Sequence, residues 1–213
     1  MKSVIIERYG AGILTLLLIW GASILPVQAQ MNQVEPLSIG SQAPMTDMEL
    51  ETTDGEMTTL QASAMEKGLV VMFTCNTCPY VKAWEDRFNE VAEMAKEEGI
   101  GFIALNPNTT YRDKGDSMAD MKKRAEDYNY QFTYALDKNN KLADAYGATR
   151  TPEIFLFNSD MKLVYHGAID DNYKSKDDVQ ETYLKDALMA LGNGNEIMPK
   201  TTKSLGCSIK RVR

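Results

Sequence analysis

Cys75 and Cys78, separated by Asn76 and Thr77 and followed by Pro79, are the residues of this sequence best suited to chemistry. Two thiols at this spacing can close into a disulfide and reopen by exchange, with the thiolate as the attacking form. The pair falls where a continuous apolar run, Gly68–Phe73, gives way to a helical period. At such a junction the unpaired amides and dipole of the helix N-terminus favour an anion. On this reading Cys75 has a lowered pKa and attacks, and Cys78, one turn on, resolves the mixed disulfide. Three other uses of the pair compete with this one. Haem attachment needs His after the second cysteine, where this chain has Pro79. A zinc site would have to recruit Cys207 and His166, whose neighbours give no ligand spacing. A purely structural disulfide across one turn closes too short a loop to stabilise much.

The surrounding elements must place the pair. Gly68–Phe73 is rich in β-branched residues and reads as a strand buried on both faces. Val81, Trp84, Phe88, Val91 and Met94 or Ala95 then fall on one helical stripe, with Lys, Glu, Asp and Arg opposite; Pro79 fits the first turn. Ile100–Leu105 is the next strand, completing a strand–helix–strand unit with parallel strands. Upstream, the alternation at Met48, Leu50 and Met57–Leu60 around Asp54-Gly55 predicts a hairpin. Downstream the patterns predict a polar loop over 106–115, a helix over 116–129 and a strand at Tyr134–Leu136. A short helix over Lys141–Tyr146, stopped at Gly147, precedes a second hairpin from Ile154–Phe157 to Leu163–Tyr165. A closing helix is expected over Asp177–Leu191, with Tyr183, Leu184, Ala187, Leu188 and Leu191 inward, and residues 193–213 form a polar, basic tail.

The chain has 213 residues, 23 basic and 30 acidic side chains and a formal charge of −7. That length suits one domain, and 44% hydrophobic with 25% charged residues is the make-up of a packed protein. The acidic balance argues against nucleic acid as a partner, and three cysteines with one histidine cannot assemble a Cys₄ or Cys₂His₂ zinc centre. No cofactor is implied. Lys2 and Arg8, the apolar run Ala11–Leu25 and the small residue Ala29 read as a signal peptide over 1–29. The alternative is an uncleaved membrane anchor, for which the run is short against the about 20 apolar residues of a span. Cleavage would remove Lys2, Arg8 and Glu7, leave a charge of −8, and export all three cysteines to a periplasmic or secreted location. Residues 30–38 read as a loose lead-in and 39–192 as the domain.

The segment Phe73-Thr74-Cys75-Asn76-Thr77-Cys78-Pro79-Tyr80 resembles the active-site strand and helix start of the thioredoxin superfamily. Gly40–Pro44, the Asp54-Gly55 hairpin and Leu205–Lys210 are similar to an exported, peroxiredoxin-like branch related to the alkyl hydroperoxide reductase and thiol-specific antioxidant group. The resemblance spans about Ile39 to Leu191 and implies an α/β thioredoxin-like fold: a central mixed sheet flanked by helices, with an N-terminal hairpin extension. It also implies that Thr151-Pro152 is the cis-proline element, positioning a substrate strand opposite the cysteines. Two departures stand out. Thr74 occupies the place of the thioredoxin tryptophan. The peroxide-binding Pro-x-x-x-Thr-x-x-Cys frame fits neither cysteine: its places hold Val71 and Cys75, or Gly68 and Met72.

The reading is therefore an exported thiol–disulfide oxidoreductase acting on protein or small-molecule disulfides and thiols. A peroxiredoxin-like thiol peroxidase, with peroxide as substrate, and a non-enzymatic binding module are the alternatives. Three accessory residues are expected. Cys207 is a resolving or relay thiol if the tail packs over the site. Arg150 imitates the peroxiredoxin arginine or is a solvated loop residue. Glu153 manages protons for Cys78 or is a surface carboxylate. His166, at a strand end, and the core-facing Trp84 and Phe88 are expected to be structural.

Overall fold

The computed structural model describes residues 35–212, so the leader expected over 1–29 lies outside the described residues. A short hairpin, β1 (Leu50–Glu51) and β2 (Met57–Thr58), turns at Gly55, whose φ of +92° favours glycine. Thr59 accepts the Ala62 amide and caps the short helix α1 (Leu60–Ser63). The six residues of β3 (Gly68–Phe73) are all buried, as a run without polar alternation requires. Helix α2 (Pro79–Glu97) follows, then β4 (Ile100–Asn106), α3 (Met118–Asp127), β5 (Thr133–Leu136) and α4 (Lys141–Tyr146). The chain continues through β6 (Arg150–Thr151), β7 (Glu153–Asn158), β8 (Leu163–Gly167), α5 (Tyr183–Gly192) and β9 (Cys207–Ser208).

The central sheet is mixed: β4 pairs parallel with β5, β3 antiparallel with β7, and β7 antiparallel with β8. β3 lies beside β4, where the Thr74 amide just beyond β3 donates to Leu105 O at 2.8 Å. Side chains alternate across this sheet. Val70, Met72, Ile154 and Leu156 meet α2 and α5 on one face; Val71, Phe73, Phe155 and Phe157 meet α1 and α4 on the other. The fold is thioredoxin-like, a mixed sheet between helices.

Four expectations change. The charged face of α2 is not wholly solvated, because Glu85 and Arg87 are buried. Glu85 is paired with Arg124 of α3 and with the Tyr130 hydroxyl, while Arg87 Nε lies 3.1 Å from Asp170 Oδ2. The helix predicted over 116–129 starts at Met118, because Ser117 and Asp120 form a capping box there. The closing helix begins at Tyr183 rather than Asp177: Asn172 and Asp171 side chains accept the amides of Lys174, Ser175 and Gln180, which holds that stretch in turns. Leu184, Ala187 and Leu188 are its buried residues, with Tyr183 and Leu191 half-buried.

The fourth change concerns the ends of the domain. The described end of the lead-in is docked, since Leu37 N donates to Tyr146 O at 3.0 Å. The tail is likewise part of the same unit. Ile197 and Ile209 are buried, Thr202 bonds to Tyr165 and Ala168, and β9 pairs antiparallel with β6. Its polar sequence conceals this, because most of its anchors are backbone groups. Among the described residues, no helix is long and apolar enough to cross a membrane.

Candidate active site

Pro79 is the first residue of α2, which makes Cys78 the N-cap. Cys75 therefore stands three residues upstream, in the loop leaving β3. Both residues are buried, at 1% and 3% relative exposure. Cys75 Sγ lies 3.2 Å from Thr151 Oγ1, and the Cys78 thiol donates to Thr151 O at 3.2 Å. Thr151 is joined to Pro152 by a cis peptide and is itself fully buried. The backbone thus brings Cys75, Cys78, Thr151 and Pro152 together at one end of the sheet.

The electrostatics divide the two thiols. Cys78 is held down to about 5, first because its thiolate accepts the Cys75 thiol, and further because the Cys207 thiol and the amides of Val81 and Cys207 face it. Val81 is the third residue of α2, the position whose amide an N-cap side chain ordinarily receives. When deprotonated, Cys78 accepts from these donors in place of donating to Thr151 O. Cys75 moves the opposite way: donation to Cys78, burial and the nearby Asp116 carboxylate all raise it well above an ordinary thiol. The direction is the reverse of the expectation that Cys75 carries the lowered pKa, first because the Cys75 thiol donates to Cys78, and further because the Cys207 thiol and the Val81 amide face Cys78.

A polar floor missing from the sequence reading holds the intervening dipeptide. Asp116, fully buried, accepts the Asn76 amide (2.7 Å), the Thr77 hydroxyl (2.8 Å) and the side-chain amides of Asn106 (3.0 Å) and Asn108 (3.1 Å). Asn76 in turn accepts the Tyr134 hydroxyl at 3.0 Å and donates to Gly115 O. Arg112 ties the same loop down by donating to the carbonyls of Asp116 and Asn106, each at 2.7 Å. The only hint in the sequence was the run of Asn and Asp at 106–116, which also reads as an ordinary polar loop.

The three accessory residues take different places around the site. Glu153 is buried, not a surface carboxylate: it accepts the amides of Thr149 (2.7 Å) and Arg150 (2.9 Å) and lies 2.8 Å from His166 Nε2. No hydrogen bond joins it to either sulfur, so it fixes the turn that leads into Thr151 instead of serving Cys78. Arg150 is exposed, and its guanidinium donates to Gly206 O (3.0 Å) rather than to a thiolate. Cys207 reaches the site. It pairs with Thr151 through β6 and β9, and its thiol meets Cys78 while the Tyr80 amide faces its sulfur. Burial and donation to Cys78 push Cys207 up to about 11.

The profile of the AhpC/TSA family matches residues 39–166, a span that includes Cys75, Cys78, Thr151 and Pro152. The chain belongs to the AhpC/TSA family. Within this redoxin family it is 29% identical over 133 residues to the thiol-disulfide oxidoreductase ResA of Bacillus thuringiensis, covering 61% of this chain and 69% of that protein. Among solved structures it is similar to an uncharacterized conserved protein of Geobacillus kaustophilus (34% identity, TM-score 0.75, 82% of this chain and 93% of the other). A hypothetical protein of Sinorhizobium meliloti superposes with TM-score 0.76 at 28% identity over 84% of this chain and 97% of its own. The AhpC/TSA match ends at His166, so the segment that carries Cys207 lies beyond it.

Proposed function

We propose that this AhpC/TSA-family protein is an exported thiol–disulfide oxidoreductase that uses Cys75 and Cys78 as its redox pair on protein or small-molecule disulfides. The single observation that carries the reading is Cys78 Sγ at the N-cap of α2, with the Cys75 thiol and the Thr151 carbonyl beside it. Export rests on the leader pattern of residues 1–29.

In the proposed cycle the Cys78 thiolate attacks a substrate disulfide, forming a mixed disulfide and expelling the substrate's other sulfur as a thiolate. Cys75 then gives up its proton and attacks Cys78 Sγ; the Cys75–Cys78 bond forms as the mixed disulfide breaks. The substrate leaves reduced, carrying the two electrons of the dithiol. The Thr151 hydroxyl, 3.2 Å from Cys75 Sγ, is placed to accept the proton of Cys75. Thr151 and Pro152 present the backbone against which an extended substrate segment pairs.

The test sets the two chemistries of the family side by side. Reduced protein mixed with oxidised glutathione is expected to form the Cys75–Cys78 disulfide. Hydrogen peroxide at the same concentration should oxidise it at least about tenfold more slowly, because among the described residues no arginine hydrogen-bonds either sulfur and the peroxide-binding sequence frame fits neither cysteine. Faster oxidation by peroxide, with a sulfenic acid trapped on one cysteine, would replace the exchange reading with the thiol-peroxidase one.

A further inference from the structure

The cysteine pair is closed off by the protein's own chain. Strand β9 pairs Cys207 with Thr151 and Ser208 with Arg150, in antiparallel register. This is the edge at which an extended substrate would pair in the proposed function. The fit is close: a Cβ built on Gly206 would collide with Thr151 O, so only glycine lets the strand approach at that point. The flanks are fastened on both sides. Arg150 donates to Gly206 O, Ile209 N donates to Thr149 O at 3.1 Å, Lys210 N donates to Asn108 Oδ1 at 2.9 Å, and Arg211 Nε reaches Asp144 Oδ1 at 2.6 Å. What this anchored strand delivers is a third sulfur, packed against the cluster that contains Cys75 and Cys78.

We propose that residues 205–208 are a built-in substrate strand, and that Cys207 exchanges with Cys78 to form a second disulfide within the same chain. The inference rests on the exchange reading of Cys75 and Cys78. Starting from the Cys75–Cys78 disulfide, the Cys207 thiolate attacks Cys78 Sγ. The Cys78–Cys207 bond forms, the Cys75–Cys78 bond breaks, and the electron pair leaves on Cys75, which takes up the proton that Cys207 lost. One disulfide is present before and after, so no outside oxidant or reductant enters. Cys78 is the hub: its sulfur meets Cys75 on one side and Cys207 on the other. The same placement sets the kind of partner the edge accepts: an extended segment with a small residue, best a glycine, directly before its cysteine.

The experiment uses the full chain with Cys75→Ser and oxidised glutathione as the probe. Cys78 displaces one glutathione and becomes glutathionylated; Cys207 then attacks Cys78 Sγ and releases the second. Mass spectrometry of the intact chain and its peptides is expected to show transient glutathionylation followed by a Cys78–Cys207 cross-link. In Cys75→Ser/Cys207→Ser the adduct should persist. Adding Gly206→Ala to Cys75→Ser, which pushes β9 off Thr151, should slow the cross-link by about tenfold or more while leaving the first addition at least as fast. The proposal is overturned if the adduct persists equally with and without Cys207, or if Gly206→Ala leaves cross-linking as fast. Failure of the underlying exchange reading has a different signature: the unaltered chain would then form no Cys75–Cys78 disulfide with the same probe.

Discussion

Replacing Cys78 with serine is expected to lower the rate of disulfide exchange by about 10³-fold or more, whereas Cys75→Ser lowers multiple turnover without abolishing the first attack. The asymmetry follows from where the charge sits. Cys78 is held down to about 5, so it is almost wholly thiolate at neutral pH, while a serine hydroxyl in its place does not ionise. Cys75 is a poor substitute, because burial and the Asp116 carboxylate still raise its thiol once the Cys78 partner is gone. In Cys75→Ser the nucleophile survives and its mixed disulfide waits on Cys207. Rapid mixing with oxidised glutathione, followed by acid quench and mass analysis, reads both steps. Equal loss of the first step in both variants would contradict the assignment of the charge.

Asp116→Asn should leave both cysteines in place and still change the site in two measurable ways. The carboxylate gathers four donors from two stretches, 76–77 and 106–108, and an amide offers only one accepting oxygen, setting its NH₂ against two of those donors. Leaving buried donors unpaired is expected to cost about 3 kcal/mol, seen as a lower unfolding midpoint in urea. The second effect concerns acidity. The negative charge of Asp116 raises the Cys75 pKa, so neutralising it lets the second thiol of the pair ionise at lower pH. Thiolate absorbance followed across a pH series should show this second ionisation move downward. A loss of stability with the second ionisation unmoved would make Asp116 a structural residue only.

The sequence made the scaffold legible wherever one simple rule decided the outcome. Gly68–Phe73 has no polar residue, so it could only be a strand buried on both faces, and the stripe from Val81 to Ala95 could only face a core. Thr151-Pro152 was recognised through resemblance, and the structure sets it against the sulfurs. What stayed hidden depended on contacts between segments distant in the chain. Asp116 lies 40 residues from the Asn76 amide it accepts, and Glu153 owes its burial to its own turn and to His166. The tail reads as polar because backbone groups, the close approach of Gly206 and scattered side chains such as Ile197, Thr202 and Ile209 dock it, and these leave no periodic hydrophobic pattern. The N-cap place of Cys78 was readable in principle. A proline in the first helical position makes the residue before it the N-cap, and that residue is Cys78.

The central claim is that the charge of the reduced pair resides on Cys78, and competitive alkylation tests it most directly. Reduced protein is treated with limiting iodoacetamide across a pH series, and the label on each cysteine is read from its peptide. The account predicts that Cys78 is labelled first, with a midpoint of about 5 set by its lowered pKa, and that Cys75 is labelled only at alkaline pH. Because the shift is downward, the rate at Cys78 rises through that midpoint and is flat above it, instead of climbing toward the ordinary thiol value of 9.0. Labelling of Cys75 ahead of Cys78, or a midpoint at Cys78 no lower than that of an ordinary thiol, would contradict it.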